Sequence, residues 1–217
     1  MSDTPGSFSR SPELSESALT GETPLGAAHL LLGAVVVAGT VRIRIVEVEA
    51  YGGDRAGPWP DPAAHSYPGP TRRNAVMFGP AGRLYVYLSH GLHHCMNVVC
   101  APDGTAGAVL LRAGEVVEGH EAVRSRRGIA RADRELARGP GNLGQALGTT
   151  LNDNGIDLFD SRSPIRIEAA PAIAVAVGPR VGVTHATDRP WRLWDPQSRA
   201  VSAYRRSPRA PAAPSAG

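Results

Sequence analysis

The stretch Val41-Arg42-Ile43-Arg44-Ile45-Val46-Glu47-Val48-Glu49-Ala50-Tyr51 decides the fold. Its β-branched residues and alternation predict one long strand. Arg42 and Arg44 alternate with Ile43 and Ile45, and then the phase slips at Ile45-Val46. Side chains alternate along a strand. Beyond the slip, Glu47, Glu49 and Tyr51 therefore share one face, and Val46, Val48 and Ala50 the other. A phase slip beside acidic residues predicts a β-bulge, a device that re-aims side chains and is frequent near active sites.

Towards the N-terminus, Ala34 to Ala38 reads as a partner strand, joined through a Gly39-Thr40 turn. Before it, Thr23-Pro24 has the form of an N-cap followed by proline at the first helical position. It predicts a helix over Leu25 to Leu32, closed by Gly33. Towards the C-terminus, Gly52 to Asn74 is a long loop rich in Gly, Pro and Asp. A loop of that length in a compact domain is functional or disordered. Arg83 to Leu88 and His93 to Val99 form a hairpin through a turn at Ser89 to Leu92, and Gly107 to Arg112 is a further strand. Glu115 to Arg127 reads as an amphipathic helix, Arg131 to Ala137 as a turn or helix, and Leu143 to Leu147 as a short helix. Ile165 to Ile167, Ala172 to Val177 and Val181 to Val183 are strand-like. This interleaving predicts the α+β class: a single compact domain with a mostly antiparallel, curved sheet, flanking short helices and a protruding hairpin. The domain is expected over residues 21–206, between a flexible tail at 1–20 and a disordered Pro- and Ala-rich tail at 207–217.

A chain of 217 residues fits one domain with loose ends. The formal net charge of +3 permits a polyanionic partner without proving one. No lysine occurs, so all 23 basic residues are arginine. Two cysteines, Cys95 and Cys100, are too few for a disulfide scaffold. Met1 to Glu22 is polar and acidic, unlike a secretory signal. The longest apolar stretch, Leu30 to Ala38, is far below the ~20 residues of a membrane span. The expectation is a cytoplasmic, reduced, monomeric protein away from membranes.

Glu49 beside Tyr51 at a strand-to-loop junction suits acid–base work, although Glu47 and Glu49 alone read more simply as a solvated strand face. Of the two carboxylates, Glu47 is expected to matter less. Loop residue His65 is, by itself, an ordinary exposed histidine. Thr71-Arg72-Arg73-Asn74 is a short basic cluster fit to touch phosphate, or a solvated charge run. Arg112 ends an apolar strand and must find an anion or a carboxylate. The basic stretch from Arg124 to Arg138 either faces a polyanion or is a solvated helix. His90, His93, His94 and Cys95 lie close together, but no paired Cys-x2-Cys exists, and His93 and His94 face opposite ways in a strand. No metal and no cofactor is expected. No P-loop, dinucleotide fingerprint or nucleophile elbow is present.

In order, Arg44 to Tyr51, Ala64-His65-Ser66, Thr71, Arg73-Asn74 and Met77-Phe78 resemble the alkyladenine (3-methyladenine) DNA glycosylases. The match continues through Gly82, Leu84-Tyr85-Val86-Tyr87, Gly91, Cys95-Met96-Asn97 and Val109 to Ala113, then Gly139-Pro140, Leu143, Gln145-Ala146-Leu147, Arg180 to Val183 and His185-Ala186. The resemblance runs from about Leu31 to about Leu193. It implies a base-flipping enzyme on double-stranded DNA containing damaged purines, with the hairpin as the DNA wedge. Glu49 would activate the attacking water, and Arg112 would help place it and the nearby phosphate. Tyr51 and His65 would sandwich the flipped base, Tyr87 would close its edge, and Asn97 would disfavour normal guanine. Thr71, Arg73 and Met77 would stand on the DNA side. His90 occupies the position of the family's wedge tyrosine, with Leu92 beside it as an apolar contribution. Absence of lysine argues for a monofunctional enzyme, since strand-nicking relatives attack through an amine. A damage-binding protein without cutting, or a hydrolase of small N-glycosides, are the alternatives.

Overall fold

A computed structural model describes residues 14–128 and 131–211. The outer parts of both expected tails lie outside the described residues. Within the segment expected to be a tail, α1 (Glu16–Thr20) is capped by Ser15 and buries Leu19. α2 (Pro24–Leu31) follows. Thr23 Oγ1 accepts the Gly26 N–H at 3.1 Å, which satisfies one of the free donors of the first turn. Ala27, Ala28 and Leu31 face the core.

The strands are β1 (Val35–Ala38), β2 (Val41–Tyr51), β3 (Leu84–Ser89), β4 (His93–Val99), β5 (Ala108–Glu118), β6 (Ile165–Glu168), β7 (Ala176–Gly178) and β8 (Arg192–Trp194). They form one antiparallel sheet in the order β3-β4-β5-β2-β1-β6, with β8 on β2 and β7 on β8. The central strand β2 changes partner along one edge. Val41 to Arg44 pair with β1, whereas Glu47 to Glu49 pair with β8. Its other edge pairs with β5 throughout.

The β2–β5 register contains two compensating irregularities at the site of the phase slip. Ile45 pairs with Gly114 but Glu47 with Ala113, so Val46 is extra on β2. Val48 then pairs with Leu111, so Arg112 is extra on β5. Each extra residue is left unpaired, and its strand bends there. Val46 turns to a small rear cluster with Ala113, Ala200 and Val201. The main core holds Ile43, Ile45, Val48, Val109, Leu111 and Leu143, among others. Arg42 and Arg44 point away from it and pair with Glu168 and Glu115, each at 2.7 Å.

The helices α3 (His120–Arg127), α4 (Asp133–Leu136) and α5 (Pro140–Leu147) complete the domain. Only glycine lets α5 lie this close to β4, because a Cβ on Gly144 would sit 2.0 Å from the His94 carbonyl oxygen. Residues 115–118, read as helical, continue β5 instead. Val116 and Glu118 pair with Ile43 and Arg42, and tertiary pairing overrides the helical pattern. The helix starts only after Gly119, whose φ of 80° ends the strand. Val181 to Val183 is loop rather than strand, of the expected Ala172 to Val177 only Ala176 and Val177 pair, and β8 lies where no strand is expected. Among the described residues, no helix is long and apolar enough to cross a membrane.

Gly119 makes a test of the β5–α3 junction. A Cβ there would meet the Thr40 carbonyl oxygen at 2.6 Å and Val41 Cα at 2.9 Å. The left-handed backbone alone costs an L-residue about 1–2 kcal/mol. Gly119→Ala is expected to destabilise the protein by at least about 2 kcal/mol, read by urea unfolding. Wild-type stability would show that the junction tolerates a side chain.

Candidate active site

The paired irregularities bring three strands' charged side chains into one buried cluster. Glu47 and Glu49 are both 0 % exposed, so the reading of a solvated strand face does not hold. Glu49 Oε1 accepts the Val181 N–H at 2.7 Å. Glu49 Oε2 accepts the Tyr51 hydroxyl at 2.9 Å and is 3.4 Å from Arg112 Nη1. Burial pushes the Glu49 pKa above the usual carboxylate value, and the charge of Arg112 and the two hydrogen bonds only partly oppose it. Tyr51 remains a protonated donor, since burial and the Glu49 charge raise its pKa well above its ordinary value. Burial disfavours the Arg112 charge, but Glu49 and Glu47 outweigh it and hold its pKa above the usual value.

Glu47 turns out to be the more heavily bonded carboxylate. Its Oε1 accepts from Arg192 Nε at 2.7 Å, Ser202 Oγ at 2.8 Å and Arg112 Nε at 3.0 Å. Its Oε2 accepts the Ser202 N–H at 2.8 Å. Sequence reasoning ranked Glu47 second and missed Arg192 and Ser202. Both partners are remote in sequence, and nothing near them signals a partner for β2.

A hollow opens beside this cluster, lined by Tyr51, Ala63, His65, Met77, Tyr85, Tyr87 and Asn97. It brings together Tyr51, His65, Tyr87 and Asn97. His65 meets Tyr87 edge-on, with ring centroids 4.6 Å apart, and its Nδ1 lies 3.2 Å from the Tyr85 hydroxyl. Burial lowers the His65 pKa, and the charge of Arg73 lowers it further. Met77 is buried in the wall of this hollow rather than lying on the outer surface. Asn97 is held by its Nδ2, which donates to the Tyr85 carbonyl at 3.3 Å. An adjoining cleft shares Tyr51, Ala63 and Tyr87 and continues past His90, Cys95, Arg112 and Val181.

The long loop is ordered by buried polar groups. Asp61 accepts the N–H groups of Gly52 and Ala63 and pairs with Arg180 through two contacts of 2.6 and 2.9 Å. Burial pushes the Asp61 pKa up, but Arg180 and the two backbone donors outweigh it and hold it below the usual value. Arg180 also lies 4.7 Å from the centre of the Tyr51 ring. Asn74 Nδ2 donates to the carbonyls of His65 and Gly69, and Thr71 Oγ1 donates to Asn74 Oδ1. Thr71, Arg72 and Arg73 themselves are exposed.

The hairpin tip is a tight turn in which Leu92 N–H donates to the Ser89 carbonyl at 3.0 Å. His90 and Gly91 both adopt positive φ, 51° and 70°. The pair matches a type I′ turn, the geometry that suits strand twist in two-residue hairpins. His90 is exposed, and Leu92 is 76 % exposed. The basic stretch is less free than its sequence suggests. Arg126 and Arg127 donate to the carbonyls of Ala146 and Leu136, and Arg124 pairs with Asp133.

The burial of Glu47 generates a test that separates the two carboxylates. Glu47→Gln leaves the buried guanidinium groups of Arg112 and Arg192 without their shared anion. Removing one partner of a buried ion pair costs about 3–5 kcal/mol, so the thermal midpoint is expected to fall by about 10 °C. Glu49→Gln is expected to leave it unchanged or raised, because Glu49 is a buried carboxylate whose charge the fold disfavours. Equal midpoints for both variants, measured by calorimetry, would contradict this division.

Known proteins resemble this chain over most of its length. The sequence model of the methylpurine-DNA glycosylase family matches residues 18–199. A protein of Nocardia farcinica is 66% identical over 193 residues, covering 88% of this chain and 91% of its own. A protein of Rhodococcus jostii is 63% identical over 187 residues, covering 86% and 84%. One from Mycobacterium tuberculosis is 60% identical over 189 residues, covering 87% and 93%. All three carry the provisional name 3-methyladenine DNA glycosylase. With most of its length matched, the chain belongs to the methylpurine-DNA glycosylase family.

Proposed function

We propose that this DNA glycosylase excises alkylated or deaminated purines from duplex DNA by flipping the damaged nucleotide and hydrolysing its N-glycosidic bond with water activated by Glu49. The observation that carries this reading is a buried carboxylate of raised pKa beside an aromatic-lined hollow. In this reading the flipped base enters between Tyr51 and His65, with Tyr87 at its edge and Asn97 against guanine's exocyclic amine. Unstacking costs a few kcal/mol, least for weakly paired lesions. Stacking on aromatic side chains returns about 1–3 kcal/mol per base. A neutral His65 wall suits a cationic alkylpurine, which a charged imidazole would repel.

The chemical step follows from the ordering of the acid and base groups. Water attacks the anomeric carbon of the sugar, Glu49 takes the proton, and the glycosidic electron pair leaves with the purine. An N-alkylated purine departs neutral from its cationic form, whereas hypoxanthine needs a proton delivered to it. Arg112 places the water and the flanking phosphate, and because it meets Glu49 through a single contact of 3.4 Å, the carboxylate keeps acceptor capacity for the water's proton. The product is an abasic site. No lysine is available to form a Schiff base, which supports a monofunctional enzyme without strand cleavage.

The deciding experiment is a base-release panel. Duplexes carrying 3-methyladenine, 7-methylguanine, hypoxanthine or ethenoadenine, and the corresponding free nucleosides, are incubated and the products separated by chromatography. Release from duplex alone is expected. Release from nucleosides would make the protein a small N-glycoside hydrolase, and retention of lesion DNA without release a damage-binding protein. Glu49→Gln is expected to bind lesion DNA and lose at least about 10²-fold in single-turnover rate. Because Glu49 acts as its anion, the wild-type rate should fall as pH drops through its raised pKa, above the ~4.3 of an ordinary glutamate. An Glu49→Gln rate within a few-fold of wild type would remove Glu49 from the role.

The exposed hairpin tip supports His90 as the wedge that fills the stack after flipping, with Leu92 as its apolar neighbour. Imidazole has less stacking face than phenol. His90→Tyr is expected to raise the flipped population and His90→Ala to lower it, both read from 2-aminopurine fluorescence beside the lesion. Equal signals for all three proteins would assign the wedge to Leu92 alone.

A further inference from the structure

Ser202 lies in the segment after β8, far in sequence from either carboxylate, yet every polar atom it has is bonded within the charged cluster. Its N–H and hydroxyl donate to Glu47 at 2.8 Å each. Its Oγ accepts from Arg112 Nη2 at 3.2 Å, and its carbonyl accepts from Arg192 Nη2 at 2.7 Å. The segment is fastened on both sides of the site. Ala200 and Val201 pack on Val46, the extra residue of β2, and on Ala113, next to Arg112, the extra residue of β5. Further on, the Arg205 carbonyl accepts the Gly182 N–H at 2.9 Å, which anchors the loop whose Val181 N–H binds Glu49.

The consequence lies in how the guanidinium of Arg112 is shared. Nε goes to Glu47 at 3.0 Å and Nη2 to Ser202 at 3.2 Å, whereas Glu49 receives only Nη1 at 3.4 Å. An arginine free to choose would form a bidentate pair with a carboxylate. Such a pair with Glu49 would satisfy the base and close the place where water must sit. We propose that Ser202, with Glu47, is a positioning residue that holds the Arg112 guanidinium off Glu49 and so keeps the base available to water. This rests on the reading of Glu49 as the base.

The charged and titratable groups facing Glu49 are Glu47 and Tyr51 on β2, Arg112 on β5, Tyr87 on β3, Arg192 opposite it on β8 and Arg180 in the loop after β7. Of these, only Glu47 and Arg112 bond to the Ser202 hydroxyl. Removing the hydroxyl therefore acts on Glu49 through Arg112. The guanidinium relaxes towards Glu49, stabilises its anion and lowers its pKa.

The test is the pH profile of single-turnover base release from lesion duplex by full-length wild type, Ser202→Ala and Ser202→Thr. Ser202→Ala keeps both backbone bonds and is expected to fold. Its plateau rate should fall about tenfold, the scale set by modest misplacement of reacting groups, and its acidic limb should move to lower pH. Ser202→Thr, which restores a hydroxyl, should return both towards wild type. Unchanged plateau and limb in Ser202→Ala would overturn the proposal, as would a lower plateau with the limb in place and no rescue by threonine. If Ser202→Ala does not fold, Ser202→Cys, a weaker donor, is read by the same criteria. A Glu49→Gln variant with wild-type rate and limb would instead overturn the assignment of the base, whatever Ser202 does.

Discussion

Everything at the site depends on burying two carboxylates of one strand next to each other and making that tolerable. Glu47 and Glu49 share a face of β2 with no solvent access. Desolvated anions of like charge are strongly unfavourable unless paired and hydrogen-bonded. The fold answers with Arg112 and Arg192, and the two carboxylates are treated unequally. Glu47 takes donors from both arginines and from Ser202 and serves as the structural anchor. Glu49 receives a backbone N–H, a phenol and one long contact, too little to offset burial, so its pKa stays raised. Two like groups with environments pushed apart is the usual physical route to separate acid–base roles.

That inequality is produced by backbone geometry. In a regular ladder, Arg112 would sit directly across from a β2 residue. The extra residue on each strand, Val46 on β2 and Arg112 on β5, releases Arg112 from pairing while leaving the register on either side intact. The slip also lets β2 exchange β1 for β8 along one edge, which delivers Arg192 opposite Glu49 and its side chain to Glu47. The paired irregularities thus supply both countercharges.

The aromatic hollow is built on the same principle of buried polar fastening. Of the loop after β2, residues 52–74, only Ala64 is a buried apolar side chain. Asp61, paired with Arg180 and accepting two backbone N–H groups, takes the place of a hydrophobic core for this segment. Arg180 in turn stacks on Tyr51, so the residues ordering the loop also set one wall of the hollow. The loop and the charged cluster are joined through Tyr51, which lines the hollow and donates to Glu49.

The sequence by itself determined what depends on local pattern. The alternation and slip over residues 41–51 specified the long strand and its bulge, and Thr23-Pro24 specified the start of α2. The ordered motifs around Glu49, His65, Tyr87 and Arg112 were legible as a family resemblance. Only the tertiary structure decided what depends on contacts between distant segments. It turned residues 115–118 into strand because β2 was there to pair with them. It tied Arg126 and Arg127 to helix-end carbonyls instead of leaving them as a free basic face. It also supplied β8, Asp61 with Arg180, and Ser202, whose importance comes from long-range hydrogen bonds to buried charges. Periodicity carries no information about such bonds, because a buried ion pair needs matching distance and desolvation, which only the folded backbone provides.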